Sequence, residues 1–155
     1  MQKYLSIKNV IASVVLIVIV VAVLLSATYA MPDFPLFLLK RWEEKVFSYI
    51  PRDTSDTISY NLFLLTRRLQ EIDYITIHKE YSLFYPCSLR FATLAGETTA
   101  LSIANNASKK QLLAVFAQDR REIDRFFARK DGKEDWKFIH DTSNYLTIDI
   151  GELKK

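Results

Sequence analysis

The sequence predicts an all-α protein: an N-terminal transmembrane helix followed by a small antiparallel bundle of about five helices. Three observations predict it. Residues 10–30 contain no charged side chain and are dominated by Val, Ile, Leu and Ala. Beyond them, apolar residues recur at three- and four-residue spacing in one segment after another. Strand-like alternation is confined to Leu146, Ile148 and Ile150, and no second strand is there to pair with it, so helix is expected at that point too.

Residues 10–30, as a helix, rise about 32 Å, close to the ~30 Å hydrocarbon core of a bilayer. Ser13 and Ser26 alone break the apolar run through residue 27, whereas a soluble core helix carries polar residues at helical spacing. The expected organisation is a cytoplasmic leader over residues 1–9, a retained anchor over 10–30 and an extracytoplasmic helical domain over 31–155. Lys3, Lys8 and the terminal amine set this orientation. Lys40, Arg41 and Lys45 count against it, but they lie beside Glu43 and Glu44 on an amphipathic segment. The alternative is a signal peptide cut near Ala30, since Thr28-Tyr29-Ala30 ends in a small residue. A typical signal core runs about 7–15 residues, shorter than this one. The single cysteine, Cys87, is too far along the chain to carry a lipid anchor and excludes an internal disulfide.

Half of the residues are apolar, and all of the acidic ones lie after residue 30, with all but Lys3 and Lys8 of the basic ones. The domain is therefore about +1 and lacks the electrostatic footprint of a nucleic-acid binder.

Each later element has its own signals. Asp33 is expected to cap a helix with Pro35 in its first turn. Leu38, Leu39, Trp42, Val46 and Tyr49 form its apolar face, with Lys40, Arg41, Glu44, Lys45 and Ser48 opposite, and Pro51 ends it. Asp53 or Thr54 caps the next helix. Its seam is Ile58, Leu62, Leu65, Leu69 and Ile72, while Arg67, Arg68, Gln70, Glu71 and Asp73 are expected in solvent, and it runs to about Ile77. After a break over residues 82–86, Pro86 starts a helix reaching Asn105. Ser108-Lys109-Lys110-Gln111 fits a capping box. Leu112, Phe116, Ile123 and Phe127 follow as the buried stripe, with Asp119 or Arg120 in the gap. Residues 130–134 read as a solvated turn, and Asp135 opens a last helix through Trp136, Ile139, Ser143, Leu146 and Ile150.

Two stretches carry a resemblance. Pro32-Asp33-Phe34-Pro35-Leu36-Phe37-Leu38-Leu39-Lys40-Arg41-Trp42-Glu43-Glu44-Lys45 resembles the opening of a bacterial family of secreted or membrane-anchored helical domains of unknown function. A long helix with Arg67-Arg68-Leu69 follows in the same way. Leu89-Arg90-Phe91-Ala92-Thr93-Leu94-Ala95-Gly96-Glu97 is similar to a later segment of that family. Phe34 stands where the family has a small residue. The resemblance implies an all-helical extracytoplasmic domain over residues 32–150 and carries no activity, substrate or catalytic residue.

Reactive residues are sparse. His78 and His140 are the only histidines, without the paired ligands a zinc site needs, though His78 with Glu80 or His140 with Asp141 are the pairs folding would have to assemble. No metal or cofactor is expected. Cys87, next to Pro86 at a helix start, reads as a small buried residue, with a nucleophile partnered by a histidine as the alternative. Three glycines, Gly96, Gly132 and Gly151, make no phosphate-cradling loop. Arg120, Arg121, Arg125, Arg129 and Lys130 alternate with Asp119, Glu122 and Asp124, as on a salt-bridged solvated face.

Two features bear on contacts. Ala92, Gly96, Ala100 and Ala104 fall four apart, a ladder of little bulk suited to close approach by another helix. Core packing is the expected use, and a homodimer contact the alternative. Phe34, Phe37 and Trp42 are expected in the core, with an interfacial cuff over residues 34–49 as the alternative. The sequence thus predicts a membrane-anchored interaction or scaffold module, held in lipid by residues 10–30 and binding a protein partner or a second copy. The alternatives are a single-span accessory subunit of a larger membrane complex, and an envelope hydrolase using Cys87 or a carboxylate pair.

Overall fold

A computed structural model describes residues 7–128 and 137–155. Every described element is helical: α1 (Ile7–Thr28), α2 (Phe37–Ser48), α3 (Thr54–His78), a 3-10 turn (Tyr81–Leu83), α4 (Phe84–Asn105), α5 (Lys109–Ala128) and α6 (Lys137–Leu153). The protein is all-α, with one apolar helix and five helices after it. It divides into two compact units, Met1–Pro51 and Arg52–Lys155.

In the first unit, α1 is the one described helix long and apolar enough to cross a membrane. Its residues from Val10 to Val21 are exposed without a break, which is consistent with a lipid-facing surface. The few hydroxyls do not spoil it. Ser13, Ser26 and Thr28 donate to the carbonyls of Asn9, Ala22 and Leu24 at 2.9, 2.8 and 3.1 Å. Each is satisfied by its own helix, as a low-dielectric environment demands.

α2 reverses the expected polarity. It starts at Phe37, after successive turns in which Phe34 N donates to Met31 O and Phe37 N to Phe34 O. Asp33 does not cap it, and its N-cap position is Leu36. Phe37, Lys40 and Glu44 are buried, while Leu38, Trp42, Val46 and Tyr49 are exposed. The cause lies just past the end of α1, where the chain leaves the helix and a backbone carbonyl needs a donor. Lys40 Nζ donates to Ala30 O at 3.1 Å, and Thr28 Oγ1 contacts Glu43 Oε2 at 3.4 Å. The charged face turns inward to satisfy that helix end.

The second unit is a bundle of α3, α4, α5 and α6. α4 packs against α3 and α6, and α5 against α6 and more lightly against α3. Asp53 caps α3, its carboxylate accepting from Asp56 N at 2.7 Å. α3 closes on Lys79 and α4 on Asn106, both left-handed, with Glu80 N and Ala107 N returning to Ile75 O and Ser102 O at 3.0 Å. α5 begins at Lys109, immediately after Ser108, where the capping pattern placed it. Ile58, Leu62, Leu65, Ile72 and Ile75 of α3 meet Phe84, Phe91 and Ala95 of α4. Leu112, Phe116, Ile123 and Phe126 of α5 and Leu146 and Leu153 of α6 complete the core. α6 carries Leu146, Ile148 and Ile150 through as helix. The expected turn over residues 130–134 and the start at Asp135 and Trp136 lie outside the described residues, as do the side chains of Phe127 and Ile139.

Candidate functional site

Two arrangements in the bundle concentrate chemistry. The first is a buried charged cluster that the periodicity of α3 hides. Arg68 and Glu71 were expected in solvent, yet both are buried, Glu71 completely. Helix arithmetic is the reason: residue 68 stands three after Leu65 and four before Ile72, and residue 71 four before Ile75, so both share the inward face. Arg68 Nη1 donates to Glu71 Oε1 at 2.6 Å, and Arg90 Nη2 of α4 approaches Glu71 Oε2 at 3.5 Å. The same Arg90 nitrogen donates to Cys87 Sγ at 2.9 Å. Burial raises the Cys87 pKa. Arg90 pulls it down and Glu71 adds to the rise. Net elevation keeps the sulfur protonated, the opposite of an activated thiolate.

The second arrangement is a groove between α4 and α6. One cavity, about 220 Å³, is lined by Tyr85, Ser88, Leu89, Phe138, Asp141 and Tyr145, among others. A second, about 270 Å³, adjoins it through Leu89, Ala92 and Tyr145 and continues past Gly96 to Ile148 and Asp149. The rings of Tyr85 and Phe138 are 4.9 Å apart and tilted by 58°, forming one aromatic wall. Tyr85, Leu89, Tyr145 and Ile148 are each at least half exposed.

Polar groups in the groove are few and distinct. Some buried hydroxyls bond back to their own helix, as Thr98 does to Leu94 O and, on the groove's own lining, Thr142 to Phe138 O. Ser88 Oγ is buried and has no hydrogen-bond partner among the described residues. Asp141 lines the first cavity, its Oδ1 4.0 Å from Nδ1 of its neighbour His140. Burial, opposed by the nearby Thr99 hydroxyl, holds the Asp149 carboxyl above its usual range.

The small-residue ladder borders this groove and does not lie in the core. α4 buries Phe84, Cys87, Ser88, Phe91, Ala95, Thr98, Thr99 and Ser102, one position round from the ladder. Ala92 and Gly96 are half-buried, and Ala100 and Ala104 are exposed. A Cβ added at Gly96 meets nothing within 4 Å, so no neighbouring backbone approaches there. Of the aromatic residues shortly after α1, Phe34 and Trp42 are exposed, whereas Phe37 is buried with Lys40 Nζ 5.6 Å from its ring.

Each histidine makes a bond within its own helix. His78 Nδ1 bonds Tyr74 O at 2.9 Å and its ring stacks on Tyr74 at 3.9 Å. His140 accepts from Asn144 Nδ2 at 3.2 Å. Among the described residues no three His, Cys, Asp or Glu side chains gather where they could hold a metal ion. Arg125 pairs with Glu122 at 2.5 Å and Arg120 with Asp124 at 3.8 Å, so this part of the basic run is a salt-bridged face; Arg129 and Lys130 lie outside the described residues.

No protein-family model matches the chain, and neither does any curated protein or solved structure.

Proposed function

We propose that the protein is a single-pass, membrane-anchored helical interaction module that holds a segment of a partner protein in the groove between α4 and α6. The observation that carries this reading is the groove itself. Its walls are apolar and aromatic, its floor is the bulk-free ladder at Ala92 and Gly96, and its polar points are Ser88, Asp141 and Asp149. An apolar segment bearing a basic side chain suits it: aromatic faces and a carboxylate both attract a cation, and an unpartnered hydroxyl still accepts a hydrogen bond. Two copies of the groove facing each other would oppose Asp141 and Asp149 to themselves, which favours a different protein over a second copy. Lys3 and Lys8 favour a cytoplasmic N-terminus, while Lys40, Arg41 and Lys45 on the other side lie beside Glu43 and Glu44. The bundle then works outside the cytoplasm, consistent with the family that the opening segment resembles.

Placing a photoreactive phenylalanine at Tyr145 tests this in the membranes of the producing cell, with the exposed Gln111 of α5 as control. One discrete adduct to another protein is expected from Tyr145 and none from Gln111, and Ile148→Asp should abolish it while the helical signal persists. An adduct of twice the chain's own mass replaces the foreign partner with a second copy. No adduct, or equal adducts from both positions, overturns the reading. Exchanging α1 for an unrelated apolar span should leave the adduct intact; its loss would favour an accessory subunit recognised through the anchor.

A further inference from the structure

α2 is amphipathic in the wrong sense for a helix bathed in water. Its charged Lys40 and Glu44 are buried, while Leu38 is 79% exposed, Trp42 62% and Tyr49 73%. Val46 extends the same apolar surface, and the exposed Phe34 precedes it. Leu38, Trp42 and Val46 follow one another at four-residue intervals, so they form a continuous stripe along one side of the helix. Burying such a stripe is favourable by about 25 cal/mol for each Å² removed from water, and leaving it in water forgoes all of that.

Position supplies the occupant. Lys40 and Glu43 hold α2 against Thr28 and Ala30, where the chain leaves the apolar helix. A helix held there lies within about one helix diameter, ~10 Å, of the point where the chain leaves the hydrocarbon. Trp and Tyr are the residues that favour this depth, where an apolar ring meets lipid and a polar edge meets water. Lys40, in turn, delivers its charge to Ala30 O and keeps it off the lipid-facing side.

We infer that α2 is an interfacial helix, its Leu38–Trp42–Val46–Tyr49 stripe seated at the headgroup boundary of the same bilayer that α1 crosses. This rests on α1 crossing a membrane, and the experiment separates the two. The full chain carrying Trp136→Phe, so that Trp42 is the sole tryptophan, is placed in nanodiscs of phosphatidylcholine and phosphatidylglycerol. The lipids are brominated either near the headgroup or near the chain end. A parallel chain carries Trp42→Phe, Trp136→Phe and Ile17→Trp, which moves the reporter into the middle of α1. Trp42 emission should fall about twofold or more with shallow bromines and less with deep ones, and the Ile17→Trp emission should show the reverse order. Quenching of Ile17→Trp without quenching of Trp42 overturns the interfacial placement alone. Absence of quenching in both overturns the anchor along with it.

Discussion

Asp119 occupies the gap in the buried stripe of α5, between Phe116 and Ile123, and its Oδ2 has no hydrogen-bond partner among the described residues. Burial, with Glu122 nearby, pushes its pKa up to about 6. A carboxyl raised on folding holds its proton more tightly in the folded chain than in the unfolded one. Its contribution to stability is therefore fully present below about pH 4, the unfolded value, and is lost as pH rises through about 6. The change is on the order of 3 kcal/mol at most. Asp119→Asn should flatten this part of the stability–pH curve and raise stability at pH 7 by about 1–2 kcal/mol. Urea melts of the full chain in mild detergent, at pH 4 and pH 7, check both. Gly96 gives a second single-residue expectation. Open space surrounds its missing Cβ. Gly96→Ala should then stabilise α4 by about 0.5–1 kcal/mol, because the only remaining effect is helix propensity. If a partner segment lies on the ladder, the same methyl weakens the Tyr145 adduct while the melting point rises. That pairing of effects separates a contact surface from an idle one.

Among the elements, α3 and α4 depend most on each other through Arg68, Glu71 and Arg90. Glu71→Leu leaves two arginines without their shared carboxylate, one of them buried, and should cost about 3–5 kcal/mol. Arg68→Met added to Glu71→Leu should recover most of that loss, since Arg90 is part-exposed and can reach water. A double-mutant cycle on the full chain measures the difference. The same cluster shows what sequence periodicity withholds. Spacing places Arg68 and Glu71 on the inward face as firmly as it places Leu65 and Ile72, yet residue type argues for solvent, and only the arrival of Arg90 from a helix about 20 residues on resolves the conflict. α2 is the sharper case. The grouping of Leu38, Trp42, Val46 and Tyr49 against Lys40 and Glu44 was readable, because periodicity says which residues share a side. It does not say which side faces inward, and the free carbonyl of Ala30 decided that. α6 was legible as helix only by elimination of a partner strand. α1 was readable outright, and the cap of α3 and the gap in α5 were each narrowed to two adjacent residues, Asp53 or Thr54 and Asp119 or Arg120, since each depends on neighbours within a few residues.

For the molecule as a whole, the long apolar helix was plain in the sequence and the groove was not. The ladder at Ala92 and Gly96 announced a surface of little bulk, but its other wall, Phe138, Tyr145 and Ile148, comes from a helix some 45 residues later, and no local pattern joins them. The division at Pro51 was equally hidden, because the second helix reads as the first member of the bundle and instead groups with the span. This division decides where the chain tolerates being cut. Removing residues 1–30 to obtain a soluble fragment would carry Leu38, Trp42 and Tyr49 into buffer and would delete the carbonyl that holds Lys40 in place. The 31–155 fragment should therefore self-associate, with scattering that grows with concentration. A fragment beginning at Arg52 leaves that oily helix behind and should stay dispersed, so light scattering of the two side by side reports whether the second helix travels with the lipid or with the bundle.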